Sequence, residues 1–185
     1  MRVLAIDTAL GACSAAVLDT ERGGFTDESV PMERGHAEAL MPLVARVMAK
    51  AKMKFADLDR VAVTTGPGSF TGLRVGISAA RGISLAAKKP AIGLTTLTAY
   101  AAPYINQDDT IPVTVAIDAR HDHVYLQIFG PGGRTLIAPR IASLREAAKM
   151  SANGPARLVG NGAADRKSTR LNSSHMSESR MPSSA

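Results

Sequence analysis

The sequence predicts an α/β fold built from two similar units, and two observations favour it. Residues 1–106 read as three strands followed by alternating helices and strands, an order typical of a mixed sheet with helices on its faces. After a polar stretch at 106–109 the order restarts, and a strand at 113–117 ends in Asp118 as the N-terminal strand ends in Asp7. Such a repeat indicates a duplicated fold, and we expect its second copy to be incomplete.

The elements of the first unit follow from the spacing of its apolar residues. Alternating apolar residues predict strands at 3–9 and 13–19, joined by a short turn, and a weaker strand at 24–30. Apolar residues at three- and four-residue spacing predict a helix over 36–53, with Pro42 in its first two turns. The remaining predicted elements are a strand at 60–65, a helix at about 72–87, a strand at 91–94 and a helix at about 96–104.

The second unit is predicted to repeat this plan in a shorter form. We expect strands at 113–117, 124–129 and near 135–137, then a helix at 143–150 with Ser143 as its N-cap. These elements place a first domain at 1–106 and a partial second domain at 107–164. Residues 165–185 are serine-rich without apolar periodicity, which predicts a disordered tail. This tail is similar to a recurrent segment of cloning origin, so we expect it to be foreign to the protein.

Composition excludes several classes of protein. The 185 residues include 45% hydrophobic residues and one cysteine, which suits a soluble protein of a reducing cytoplasm and excludes an internal disulfide. No apolar run reaches the roughly 20 residues of a membrane helix, and the first residues form a strand rather than a signal peptide. We therefore expect a cytoplasmic protein with no membrane partner. The net charge of +6 owes part of its size to the tail, and the other basic residues are scattered, so direct nucleic-acid binding is weakly supported.

A glycine-rich segment between the fourth strand and the second helix allows two interpretations. A strand, a glycine-rich turn and a helix are how many α/β proteins approach a phosphate. The segment lacks the lysine and hydroxyl that end a phosphate-binding loop of the Walker type. Small residues at four-residue spacing (Gly72, Gly76 and Ala80, with Ala79 beside them) favour the other interpretation, a helix face that another helix approaches closely.

Other polar residues favour structural roles over catalytic ones. Asp7 follows a buried strand, where it either caps the turn or orients a ligand, and the capping role is favoured. His36 lacks a second metal ligand four residues on, and His121 and His123 lack supporting ligands. Cys13 has no basic neighbour, which predicts a buried and inert thiol. Chemistry is therefore poorly supported by these residues alone.

Three motifs together resemble the bacterial TsaB family over residues 1 to about 164. They are Leu4-Ala5-Ile6-Asp7-Thr8-Ala9, then Gly66-Pro67-Gly68-Ser69-Phe70-Thr71-Gly72-Leu73-Arg74, then Ile117-Asp118-Ala119-Arg120 with Val124-Tyr125. The resemblance implies the duplicated fold of actin, sugar kinases and the Hsp70 ATPase. It also implies that the chain is shortened at its C-terminus relative to the family. The turn residues that carry the resemblance are Asp7, Thr8, Gly66, Pro67, Gly68, Ser69, Thr71, Arg74, Asp118 and Arg120.

The resemblance implies a non-catalytic subunit of the complex that installs threonylcarbamoyl on the tRNA adenosine next to the anticodon. Such a subunit binds and activates the catalytic paralogue TsaD, works with further subunits that include an ATPase, and meets tRNA only through the complex. The same helix faces allow a homodimer when the partner is absent. No cofactor is expected here, and no metal, because Thr96 and Tyr100 stand where the paralogue carries a His-x-x-x-His metal pair. The alternatives are a glycoprotease-like metallopeptidase and an ATP-binding kinase-like enzyme of the same superfamily.

In the family, the first two long helices pair with the equivalent helices of the partner. This implies an interface made by the apolar stripe of the first helix and the small-residue face of the second. We therefore expect a leucine at Gly76 or Ala80 to block partner binding and to spare the fold. The predicted interface residues are Leu40, Val44, Val47, Met48, Gly72, Val75, Gly76, Ala79, Ala80 and Ile83.

Overall fold

The computed structural model describes residues 1–105, 107, 110–151 and 154–164. The chain divides into two units, Met1–Thr96 and a second that begins at Leu97. The sequence placed this boundary at 106, so the predicted helix at 96–104 falls almost wholly in the second unit. Most of the predicted linker at 106–109 and all of the predicted tail at 165–185 lie outside the described residues.

The first unit is a five-stranded mixed sheet with two long helices. Its strand order is β3-β2-β1-β4-β5, with β1 antiparallel to β2 and parallel to β4, and β4 parallel to β5. A single 3₁₀ turn, Phe55–Asp57, precedes β4. The elements are β1 (Arg2–Asp7), β2 (Ala12–Asp19), β3 (Gly24–Pro31), α1 (His36–Lys50), β4 (Arg60–Thr64), α2 (Phe70–Ala87) and β5 (Ala91–Leu94).

Both helices contribute to one hydrophobic core against the sheet. In β1, Leu4 and Ile6 point to the same face because side chains alternate along a strand, and both are at most 2% exposed. The apolar stripe of α1 closes over this face and is itself fully buried. The core residues are Leu4, Ile6, Cys13, Ala15, Val17, Leu40, Leu43, Val44, Val47, Met48, Leu58, Val61, Val63, Ala80 and Ile83.

An ion cluster ties β3 to α1 on the surface of the first unit. Glu28 accepts hydrogen bonds from Arg46 Nη2 at 2.6 Å and Nε at 2.9 Å, and from Lys50 Nζ at 3.0 Å. These hydrogen bonds, that of Arg46 first, lower the pKa of Glu28 to about 2. The edge strand β3 is therefore held in place by ion pairs with α1 as well as by its backbone hydrogen bonds with β2.

The second unit repeats the strand order of the first. Its sheet has the order β8-β7-β6-β9, with β6 antiparallel to β7 and parallel to β9, as β1 is to β2 and β4. This repetition confirms the predicted α/β fold of two mixed sheets flanked by helices. The elements are α3 (Thr96–Ile105), β6 (Val113–Asp118), β7 (His123–Phe129), β8 (Thr135–Ser143), α4 (Leu144–Ser151) and β9 (Arg157–Val159).

Helix α4 begins at the predicted cap. Ser143 Oγ accepts a hydrogen bond from the Glu146 amide at 3.3 Å, and the Glu146 carboxylate accepts one from the Ser143 amide at 2.9 Å. This reciprocal pair is a capping box. It lowers the pKa of Glu146, chiefly through the backbone hydrogen bond from Ser143. Among the described residues, no helix is both long enough and apolar enough to cross a membrane.

Candidate functional site

The glycine-rich loop between β4 and α2 is packed directly onto the turn that follows β1. The Ser69 amide donates to the Ala9 carbonyl oxygen at 2.7 Å, and Ser69 Oγ accepts from the Gly72 amide at 3.2 Å as the N-cap of α2. A Cβ at Gly68 would collide with the Ala9 carbonyl oxygen, and one at Gly72 would collide with that of Thr8. The backbone of the β1 turn therefore occupies the space beside these two glycines.

The small-residue face of α2 is explained by the same turn. Thr8 Oγ1 donates to the Gly72 carbonyl oxygen at 2.7 Å, and a Cβ at Gly76 would collide with Thr8 Oγ1 and lie 3.5 Å from Val63 Cγ2. The sequence correctly predicts close packing at this face. It wrongly expects another helix as the neighbour, because the neighbours are the end of β1 and strand β4.

The carboxylate of Asp7 is used within the turn. Asp7 Oδ1 accepts hydrogen bonds from the Ala9 amide at 2.9 Å and from Thr64 Oγ1 at 2.7 Å. The aspartate thus joins the β1 turn to the end of β4, which agrees with the capping interpretation. This arrangement places Asp7 at the carboxyl ends of two parallel strands, where α/β proteins usually bind ligands, but with one of its oxygens already accepting two hydrogen bonds.

The equivalent turn in the second unit is built in the same way. Asp118 Oδ1 accepts from the Arg120 amide at 2.8 Å, and the Asp118 amide donates to Asn161 Oδ1 at 3.0 Å. Positive φ angles follow at Arg120, His121 and Asp122. A small polar cavity of about 240 Å³ lies beside this turn and is lined partly by Asp118, Asp122 and Asn161. Its carboxylates are exposed to solvent.

The remaining polar candidates have structural contacts. His36 is 8% exposed, and its Nε2 lies 3.3 Å from the Leu10 carbonyl oxygen, which fixes the start of α1 to the β1–β2 turn. His123 Nδ1 contacts the His121 carbonyl oxygen at 2.6 Å. Burial raises the pKa of the Cys13 thiol, as expected for an inert cysteine. Within the described ranges, no group of three or more His, Cys, Asp or Glu side chains is placed to hold a metal.

The structure corrects most of the predicted partner interface. The apolar stripe of α1 and the small-residue face of α2 both point into the core of the first unit, and Val75 and Ala79 are partly buried against that core. A leucine at Gly76 or Ala80 would therefore disrupt the fold instead of sparing it. The predicted interface residues that are buried are Leu40, Val44, Val47, Met48, Gly72, Gly76, Ala80 and Ile83.

The outer sides of the two helices form an open apolar groove instead. This α1–α2 groove has a volume of about 530 Å³. Met41 is 46% exposed and Phe55 36% exposed on its walls, and Leu85 is 82% exposed on α2 nearby. Ala79 and Ile83 of the predicted interface line this groove, whereas the sequence did not predict Met41 or Phe55 as interface residues. The groove is lined by Met41, Phe55, Ala56, Ala79, Gly82, Ile83, Ala86, Ala87 and Lys88.

Comparisons with known proteins find one family model and several similar proteins. A family model described as "TsaD: tRNA N6-adenosine threonylcarbamoyltransferase" matches residues 14–179. The tRNA threonylcarbamoyladenosine biosynthesis protein TsaB of Haemophilus influenzae is 33% identical over 173 residues, which is 88% of this chain and 72% of that protein. This chain belongs to the TsaB family. The TsaB of Escherichia coli K12 is 38% identical over 125 residues, 68% of this chain and 53% of that protein, so the match spans about half of the E. coli protein.

Solved structures support the same assignment for this TsaB-family chain. YeaZ from Pseudomonas aeruginosa matches with a TM-score of 0.66 and 31% identity, over 77% of this chain and 66% of that one. A Bacteroides thetaiotaomicron protein with an actin-like ATPase fold matches with a TM-score of 0.52 and 11% identity, over 92% of this chain and 86% of that one. The second likeness shows the fold alone, and the fold is the predicted one.

Proposed function

We propose that this chain is the non-catalytic subunit of a tRNA threonylcarbamoyladenosine (t6A) synthesis complex. In this role it binds a TsaD-like catalytic paralogue through the outer sides of α1 and α2 and activates it. The observation that carries the proposal is the α1–α2 groove. It is an open apolar surface on α1 and α2, the two helices whose pairing the family resemblance implies, and exposed apolar surface of this kind marks interaction sites.

The β1 turn and the glycine-rich loop support a binding role over nucleotide or metal chemistry. The Asp7 carboxylate holds the Ala9 amide and the Thr64 hydroxyl, and backbone fills the space beside Gly68 and Gly72. Thr96, which stands at one position of the paralogue's histidine pair, is fully buried. These contacts favour the scaffold role over the two enzyme alternatives.

Co-expression with the TsaD-family paralogue of the same genome tests the proposal. We expect the two proteins to co-purify in a defined ratio and t6A formation on tRNA to require both. Further subunits, including the ATPase, are supplied in excess, so that only this chain limits the rate. Equal t6A formation with and without this chain would refute the proposed role. Nucleotide titration of the isolated chain tests the kinase-like alternative, which predicts binding tighter than roughly millimolar.

A further inference from the structure

A group of basic residues lies at one edge of the first unit, where α1 and α2 end and β4 and β5 begin. These residues are dispersed in the sequence, and the fold brings them together. Phe55 and Lys88 line the same groove, so the segments that follow α1 and α2 are neighbours. The Val61 amide donates to the Pro90 carbonyl oxygen at 3.0 Å, which joins the starts of β4 and β5. This basic edge consists of Lys52, Lys54, Arg60, Lys88 and Lys89.

The charge of the basic edge is not neutralised within the described part of the chain. There, none of its five cations forms an ion pair, and all are exposed except Lys89, which is half-buried. The two carboxylates of the same segment hold backbone amides. Asp57 Oδ2 accepts from the Lys54 amide at 2.9 Å, and Asp59 Oδ2 accepts from the Arg2 amide at 2.6 Å.

Two lysines of the basic edge occupy backbone positions that favour glycine. Lys52 follows the C-cap of α1 with a φ of 52°, and Lys88 is the C-cap of α2 with a φ of 55°. Residues with a side chain rarely adopt this left-handed conformation, and helices that end in it usually carry glycine there. The dipole of each helix favours a nearby cation, but it does not account for Lys54, Arg60 or Lys89. The sequence thus keeps positive charge at this edge against the preference of the backbone.

The kind of cation favours phosphate groups as the ligand. Four of the five residues are lysines, and lysine is depleted at protein interfaces, where arginine is enriched. The lysine ammonium is a compact charge on a flexible stem, so it contacts phosphate without a fixed geometry. A nucleic-acid backbone carries a phosphate at every nucleotide and meets several such cations at once, and the release of its counterions favours binding.

We propose that the basic edge contacts the phosphate backbone of tRNA within the t6A synthesis complex, so that this non-catalytic subunit helps to hold the substrate. The inference rests on the proposed function, because that function supplies the tRNA. Lys88 belongs both to the basic edge and to the α1–α2 groove. The edge therefore adjoins the surface that we assign to the catalytic paralogue, and one tRNA meets both subunits there.

Fluorescence anisotropy with the complex of this chain and the paralogue, and a labelled unmodified tRNA transcript, tests the inference. The variant carries Lys52→Ala, Lys54→Ala and Lys89→Ala, none of which lines the groove. We expect tRNA affinity to fall about 10- to 100-fold, and the slope of log affinity against log salt to decrease by about 2–3. Arginine at the same three positions keeps the charge and should retain the affinity.

The matched control removes three exposed arginines of the second unit, with Arg134→Ala, Arg140→Ala and Arg145→Ala. It changes the net charge by the same amount and should leave tRNA affinity and its salt slope unchanged. An equal loss with this control would overturn the inference, because the effect would then follow net charge alone. Pull-down of the paralogue is measured for every variant, and we expect it to be unchanged.

The outcomes distinguish this inference from the proposed function. If the wild-type chain does not bind the paralogue, the proposed function fails and this inference fails with it. If the wild-type complex forms and makes t6A, but the lysine-to-alanine variant binds tRNA with the same affinity and salt slope, only the inference is overturned. It is also overturned if that variant loses the paralogue, since the edge would then be a protein contact.

Discussion

Alanine at Gly76 should destabilise the first unit, whereas alanine at Gly82 should stabilise it. The Cβ of Gly76→Ala would collide with Thr8 Oγ1. Thr8 is 1% exposed, and its hydroxyl donates to the Gly72 carbonyl oxygen at 2.7 Å. The threonine therefore has no open space to move into, and a shift would break that hydrogen bond. Gly82 lies in the same helix with open space around its missing Cβ.

The size of the effect follows from three contributions. Overpacking of a core costs about 1–3 kcal/mol, and the loss of the Thr8 hydrogen bond costs about 1 kcal/mol. The better helix propensity of alanine offsets about 1 kcal/mol. We therefore expect Gly76→Ala to lower the free energy of unfolding by about 1–3 kcal/mol. Gly82→Ala keeps only the propensity gain and should raise it by up to about 1 kcal/mol.

Urea unfolding followed by far-ultraviolet circular dichroism measures both variants, since the chain has no tryptophan. A double-mutant cycle identifies the colliding atom. Thr8→Ala removes the hydroxyl, so the cost of Gly76→Ala should shrink in that background. If Gly76→Ala stabilises the chain as Gly82→Ala does, or if its cost is the same with Thr8→Ala, the packing described for α2 is wrong.

Two further predictions concern the remaining contacts. Hydrogen bonds from Arg46 and Lys50 lower the pKa of Glu28 to about 2. Its contribution to stability is therefore present above the ordinary carboxylate range and is lost as the pH falls from about 4.5 towards 2. Glu28→Gln should flatten the pH dependence of the stability over this window, and Glu33→Gln, at an exposed site, should not. Ser143→Ala removes the cap of α4 and should cost the second unit about 1 kcal/mol. Hydrogen exchange should then show faster exchange at the Glu146 amide, and unchanged exchange there would contradict the capping box.

The alternation of apolar residues was enough to predict the strands of the first unit. Leu4 and Ile6 in β1, and Val61 and Val63 in β4, point to one buried face, and the repeated strand ending in Asp118 correctly indicated the duplication. The weaker signals led to errors at the edges. Strand β9 has only three residues, Arg157–Val159, and was missed, while β8 extends to Ser143 and well beyond the predicted 135–137.

The candidate site was harder to predict because a periodic pattern identifies a packed face without naming its neighbour. Gly72 and Gly76 were correctly identified as a close-packing face, but Thr8, far away in sequence, is what packs there. The sequence predicts that part of the α1 stripe around Val44 contacts a partner, but the whole stripe is buried in the core of the first unit. Met41 belongs to the apolar pattern that predicts α1, so its spacing alone does not reveal that it is 46% exposed, and Gly82 carries no periodic signal. Only the folded unit shows that both positions are left exposed.

The most direct test is the rate of t6A formation by the TsaD-like paralogue in the presence of three forms of this chain. Met41→Asp places a charge in the α1–α2 groove, and Phe25→Asp places one at a more exposed apolar site on β3, away from the groove. We predict that the wild type and Phe25→Asp support the same rate and that Met41→Asp, although folded, supports little or none. Equal rates with Met41→Asp and the wild type would contradict the claim that this groove activates the paralogue.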